Sequence, residues 1–145
     1  MMSEYTYPYP RPSVTVDIVL FGTDIVFHGS VLLIKRRKDP FQGMWALPGG
    51  YRNENEQLMH AALRELREET GVTGVRLRQF HTFGNPGRDP RGDTVSVAYT
   101  GGVPRNAVTV QADDDAEDAQ WFSVKHLPPL AFDHRDIIQY ALANT

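Results

Sequence analysis

Between Glu56 and Gly71 the chain carries a stretch that admits little besides a helix. Leu58, Met59, Ala62, Leu63 and Leu66 recur at spacings of three and four, and Gly71 follows as a C-terminal stop. At 100° per residue these residues and Thr70 span an arc of about 140°, a stripe that must be covered by another layer. The flanking sequence supplies strands for it. Residues 13–22 and 31–37 are rich in β-branched side chains and read as strands joined by a turn. A very short strand at 45–47 sits inside the proline- and glycine-rich DPFQGMWALPGG. Further strands are expected at 74–83, 93–103 and 120–124, with GNPGRDPRG as an irregular connection. A final helix runs from Asp133, as N-cap, to about residue 142. Strands mixed with two helices and no internal repeat imply an α+β or mixed-sheet α/β sandwich, with an N-terminal arm at 1–12 and one domain at 13–145.

Composition narrows the function. The 145 residues suit a single domain. Eighteen acidic against fifteen basic residues leave a net charge of -3, so no global field draws in nucleic acid or an anionic membrane. The absence of cysteine removes disulfides, zinc–thiolate sites, iron–sulfur clusters and thiolate nucleophiles, and fits a cytoplasmic setting. The first residues, MMSEYTYPYPRP, lack the basic start and apolar stretch of a signal peptide. Residues 14–34 are broken by Asp17, Asp24 and His28, short of the roughly 18 clean apolar residues of a membrane span. No serine lies in G-x-S-x-G and there is no P-loop.

The helix carries an unusual charge pattern. Glu65, Glu68 and Glu69, at i, i+3 and i+4, cluster at the edge of its apolar stripe, while His60, Arg64, Arg67, Glu56 and Gln57 take the far side. Like charges at this spacing weaken a helix by a few tenths of a kcal/mol per pair, roughly. A hard divalent cation relieves them, and oxygen-only ligands select Mg²⁺, with Mn²⁺ as the alternative, over zinc. The competing reading is an ordinary solvated face of a helix rich in Glu, Arg and Leu.

The cluster has a wider frame. Gly50, Glu56, Arg64-Glu65-Leu66, Glu68-Glu69, Gly71 and Val72 stand in a 23-residue pattern that is similar, at every fixed position, to the signature box of the Nudix hydrolases. LLIKRR and GMWALPGG before it and DAQWFSVKHL after it resemble the family's flanking strands. The resemblance implies an αβα sandwich with the box as loop, helix and loop against a mixed sheet, and hydrolysis of a nucleoside diphosphate linked to another group. It assigns metal binding to Glu65, Glu68 and Glu69 and to the Gly49 carbonyl, and structural support to Gly50, Glu56 and Arg64. A metal-activated water agrees with the chemistry, because a diphosphate repels an anionic nucleophile until its charge is neutralised.

Pro86, about fifteen residues beyond Gly71, and the segment PGRDPRGD resemble the loop of ADP-ribose pyrophosphatases, which implies release of AMP and ribose 5-phosphate. Arg88 and Arg91 can fork onto a phosphate or ribose and Asp89 can accept from ribose hydroxyls; equally, RDPRG can be a polar connection with its own Arg–Asp pairs. Arg37 resembles a phosphate-touching position or ends a solvated KRRK run. Phe41, Trp45, Tyr51 and Phe83 are candidates for stacking adenine or for the core. For the catalytic base, Glu117 and Asp115 stand in the one acidic run after the sheet, with Glu68 as a sharer of the role. The five histidines, 28, 60, 81, 126 and 134, show no ligand spacing and read as surface or satisfied core residues. A homodimer, with TYPYPRP crossing to the partner, follows from the subgroup resemblance. Two other functions share the box: a sanitising hydrolase of oxidised nucleoside triphosphates of the 8-oxo-dGTP type, and a non-catalytic ADP-ribose sensor.

Overall fold

The computed structural model describes residues 5–24, 29–112 and 116–144. Its strands are β1 (Ser13–Gly22), β2 (Ser30–Arg36), β3 (Trp45–Ala46), β4 (Gly49–Tyr51), β5 (Arg78–Phe83), β6 (Thr94–Val103) and β7 (Ala116–Ser123), and its α-helices are α1 (Leu58–Thr70) and α2 (His134–Ala143). All seven strands share one mixed sheet in the order β3-β2-β1-β6-β5, with β4 added to β1 and β7 to β2. The only parallel pair among these is β1 with β6, which run in register from Ser13–Thr94 to Gly22–Val103.

Period-two alternation divides the core between the two helices. Val16, Ile18, Leu20, Leu32, Val97 and Tyr99 pack with Ala61, Ala62 and Leu66 of α1. The intervening Val19, Phe21, Val31, Leu33 and Ala98 pack with Ile137, Ile138 and Ala141 of α2. One helix therefore covers each face, the αβα arrangement expected of the box. Among the described residues, no helix is long and apolar enough to cross a membrane.

Several expected boundaries shift. α1 begins at Leu58 because residues 53–56 close a turn first, Glu56 N–H donating to the Asn53 carbonyl with Asn55 at φ 63°. Its buried stripe is Ala61, Ala62, Leu66, Glu69 and Thr70, whereas Met59 is exposed. Gly71 ends it in the left-handed region at φ 75°. β5 begins only at Arg78, β7 runs from Ala116 to Ser123, and the three-residue β4 carries too little pattern to be foreseen. Asp133 occupies the N-cap of α2 but its carboxylate makes no cap bond, being committed to Arg88.

Candidate active site

β1 and β2 pair directly only at Phe21–Val31 and Gly22–Ser30. Beyond that point β1 takes β4 as a neighbour and β2 takes β3, and the parting of the strands opens a cavity of about 400 Å³. Into it come Asp17 from β1, Glu65 and Glu69 from α1, and five cationic side chains from two other places: Arg36, Arg37 and Lys38 at the end of β2, and Arg88 and Arg91 of the 84–93 loop.

Glu69 lies at the buried end of α1, 8% exposed, and one carboxylate oxygen accepts the Gly49 N–H at 2.7 Å. Burial pushes its pKa well above the ordinary carboxylate range; the Gly49 bond opposes this, and the charges of Glu65 and Asp17 add to it. Two glycines permit the crowding. A Cβ at residue 49 would stand 2.5 Å from Asp17 Oδ1 and collide with the Val16 carbonyl, and one at residue 50 would stand 2.7 Å from the Glu65 carboxylate.

Asp17 is itself buried on the α2 side of the sheet. Its carboxylate accepts from the Ser96 hydroxyl and lies 3.4 Å from His134 Nε2, while His134 Nδ1 accepts the Leu47 N–H at 3.0 Å. Burial raises the Asp17 pKa against the pull of His134 and Ser96, and burial lowers that of His134 against the pull of Asp17. A backbone donor on Nδ1 requires a lone pair there, so the imidazole is neutral with its proton on Nε2.

The solvent side of α1 is organised differently. Arg64 forks onto Glu56 at 2.7 and 2.9 Å, reaches Glu65 at 2.8 Å and Glu68 at 3.2 Å, and donates to the Tyr51 carbonyl at 3.1 Å. The Arg64 hydrogen bonds hold the Glu56 carboxyl at a pKa of about 2, and Arg64 is raised in turn, first by Glu56.

In the 84–93 loop both arginines are engaged. Arg88 forks onto Asp133 at 2.8 and 2.7 Å, and its side chain is 4% exposed. Arg91 forks onto buried Asp89 at 3.1 and 2.8 Å, with its guanidinium 4.8 Å from the Tyr51 ring and 5.2 Å from that of Phe132. Arg36 lies 5.0 Å from the other partner of this group, the same Phe132 ring. Arg37 donates to the Ala116 carbonyl at 2.9 Å.

The fold thus brings Glu65, Glu69, Gly49, Gly50, Arg37, Arg88, Asp89 and Arg91 to one cavity. It does not bring Pro86 or Glu117, both exposed and away from the lining, and Glu68 stands outside it with its carboxylate on Arg64. Asp115 lies outside the described residues, as does His28. Of the aromatic candidates, Tyr51 meets Arg91, Phe41 packs edge-on against Phe132, Trp45 packs on Phe122, and Phe83 joins Phe80 and Tyr140. Asp17, Arg36, Phe132 and His134 line the cavity without being marked as site residues by any motif. The one available signal is an acid, Asp17, in the middle of an otherwise apolar strand.

The donor set suits a hard cation: carboxylates and a backbone carbonyl, with no thiolate. Among the described residues no three acidic or histidine groups already surround one point, since Arg64 holds Glu65 and Glu68.

Comparison with known proteins agrees with this fold. The model of the NUDIX domain matches residues 11–141. An ADP-ribose pyrophosphatase of Methanocaldococcus jannaschii is 38% identical over 131 residues, 90% of this chain and 73% of that protein. The ADPR responsive transcriptional repressor NtrR of Acinetobacter baylyi is also 38% identical, over 93% of this chain but only 55% of its own length. The NUDIX domain of Shewanella oneidensis NrtR, solved as a cocrystal with ADP ribose, superposes with a TM-score of 0.86 at 34% identity and 99% coverage of both chains. With a box that holds its spacing, an αβα fold that presents it to a charged cavity, and a family match over nearly the whole length, the chain belongs to the NUDIX domain family, the Nudix hydrolases.

Proposed function

We propose that this Nudix hydrolase cleaves the diphosphate of ADP-ribose, adding water across one P–O bond to give AMP and ribose 5-phosphate. The observation that carries the reading is the charge make-up of the cavity: a buried carboxylate set from α1 and β1 shares about 400 Å³ with five cationic side chains, as a substrate with two phosphates between two sugars requires. The ADP ribose cocrystal of a NUDIX domain alike over the full length supports that ligand over a triphosphate.

Glu65, Glu68, Glu69 and the Gly49 carbonyl would hold Mg²⁺, or Mn²⁺ in its place. A cation bound there supplies charge neutralisation of the diphosphate and acidification of a water. Gly49 N–H keeps the Glu69 carboxylate turned toward the turn before the box, and Arg64 ties Glu65 and Glu68 to the closing loop at Glu56. Arg91, already oriented by Asp89 and two aromatic rings, binds a phosphate without first losing side-chain freedom. Arg88 binds the distal ribose side by exchanging part of its Asp133 contact, and Arg37 borders the same space. Of the base candidates, Glu68 shares α1 with Glu65 and Glu69; in this scheme it combines metal binding with taking the proton, using the carboxylate oxygen that Arg64 leaves free of that bond. The exposed Tyr5, Tyr7 and Tyr9 of the arm support a homodimer, which deletion of residues 1–12 and a solution mass measurement would test.

The deciding experiment measures AMP release with Mg²⁺ from ADP-ribose, NADH, diadenosine polyphosphates and 8-oxo-dGTP. A lead for ADP-ribose of about tenfold in kcat/KM bears the proposal out. A lead for triphosphates overturns the substrate; no turnover, with ADP-ribose raising Tm, replaces the enzyme by a sensor.

A further inference from the structure

Leu47, Pro48 and Gly49 lead the chain into the box, and each gives a backbone group to a different element. The Leu47 N–H goes to His134 of α2 at 3.0 Å, the Pro48 carbonyl accepts the Ile18 N–H of β1 at 2.9 Å, and the Gly49 N–H goes to Glu69 of α1 at 2.7 Å. α2 packs on the sheet face opposite α1, and it reaches the turn in two ways: the Leu47 side chain packs in the core with Ile137 and Ile138, and His134 takes the Leu47 backbone N–H. The segment ahead of it is tied to β3, the strand that leads into the turn: the Ala131 N–H donates to the Trp45 carbonyl at 2.9 Å, and Asp133 clamps Arg88. His134 also bridges. With Nδ1 on the Leu47 amide, Nε2 faces Asp17, the carboxylate that leaves no room for a side chain at residue 49.

We propose that His134 is a positioning residue for the hydrolysis: by accepting the Leu47 N–H it fixes the 47–50 turn, and so keeps the Gly49 amide on Glu69. His134 acts through the backbone and touches no substrate. Leu47 is 2% exposed, so its N–H without an acceptor must move to find one, carrying Gly49 with it. Displacement by about 1 Å of groups that set reacting geometry is enough to cost a large factor in rate. The effect on kcat rests on the hydrolytic reading above; the effect on the Gly49 amide does not.

The test compares His134→Leu with His134→Asn, the second of which keeps an acceptor near the place of Nδ1. Assays run well below both melting temperatures. His134→Leu is expected to lower kcat about tenfold with KM within about twofold of the parent, and His134→Asn to recover most of the loss. In parallel, hydrogen exchange of the Gly49 amide, followed by NMR without metal or nucleotide, is expected to accelerate in His134→Leu and to slow again in His134→Asn. A lower Tm with unchanged kcat, equal kcat losses in both variants, or an unchanged Gly49 exchange rate in His134→Leu would each overturn the proposal. If the parent protein cleaves no ADP-ribose, the functional reading fails, and the Gly49 exchange rates alone decide the positioning role.

Discussion

The turn leading into α1 and the buried end of that helix hold their carboxylates in opposite ways. On the solvent side Glu56 has both oxygens on the Arg64 fork and a pKa of about 2, a pair already complete. On the buried side Glu69 has one backbone N–H, two acidic neighbours in Glu65 and Asp17, and a pKa driven well above the carboxylate range. The same residue type thus serves twice, once satisfied by the protein and once left short of positive charge. An uncompensated buried carboxylate is costly, and its presence at the cavity makes Glu69 a candidate for a ligand that supplies the missing positive charge.

The largest expected effect comes from breaking the unsatisfied side. Glu69→Gln keeps shape and an acceptor for the Gly49 N–H while removing the charge. We expect kcat for AMP release to fall by at least about a hundredfold. Tm measured without divalent metal should hold or rise, because the charge removed is a liability to the empty site. Near-normal turnover would mean that the buried end of α1 is not where the chemistry sits.

The glycines sharpen the contrast more gently, and they separate stability from activity. Gly49→Ala drives a Cβ against Asp17 Oδ1 and the Val16 carbonyl, one of them backbone, so the strand pair must shift. The cost expected for such overpacking is about 1–3 kcal/mol, read as a fall in Tm of several degrees. Gly50→Ala meets only the end of the Glu65 side chain, which can swing aside. It should leave Tm nearly unchanged and lower kcat, since the carboxylate moved is one assigned to the metal. Thermal melts and steady-state rates on the same two variants give the comparison; a reversed order would place the strain at Glu65.

How far each side was legible follows from where its partners lie in the chain. Glu65 and Glu68 lie within one helix, so spacing alone groups them, and Gly71 announces its own stop; Arg64, expected on the far side, instead reaches round to both carboxylates through its long side chain. The β-branched runs likewise yield β1 and β2 within a residue at each end. Burial of Glu69 is not legible: helical spacing puts it at the stripe's edge, and the approach of β4 through Gly49 encloses it. Asp17 looked like a flaw in an apolar run because its partners, Ser96 and His134, come from distant strand and helix. Asp133 satisfied the N-cap pattern, yet a forked bond to Arg88 outcompetes the single weak bond a cap offers. Local pattern fixes elements; contacts between elements decide which polar groups face the cavity.

The smallest effect tests the satisfied side. Glu56 in the folded protein has a pKa of about 2 against an ordinary 4.5, so its ion pair contributes stability that is fully present above pH 4.5 and is lost as pH falls toward 2. Glu56→Gln removes that contribution. The difference in urea midpoint between parent and variant is therefore expected to be constant near neutrality and to close between pH 4.5 and 2. Because the pair lies near the surface, salt should shrink the difference as well, through screening over about 10 Å at 0.1 M. A difference that persists unchanged at pH 2 would show that Glu56 serves through contacts its uncharged carboxyl makes beside the Asn53 turn and an amide does not reproduce, and not through its charge on Arg64. In that case the solvent end of α1 would be held by loop geometry, and the contrast with Glu69 would be one of burial alone.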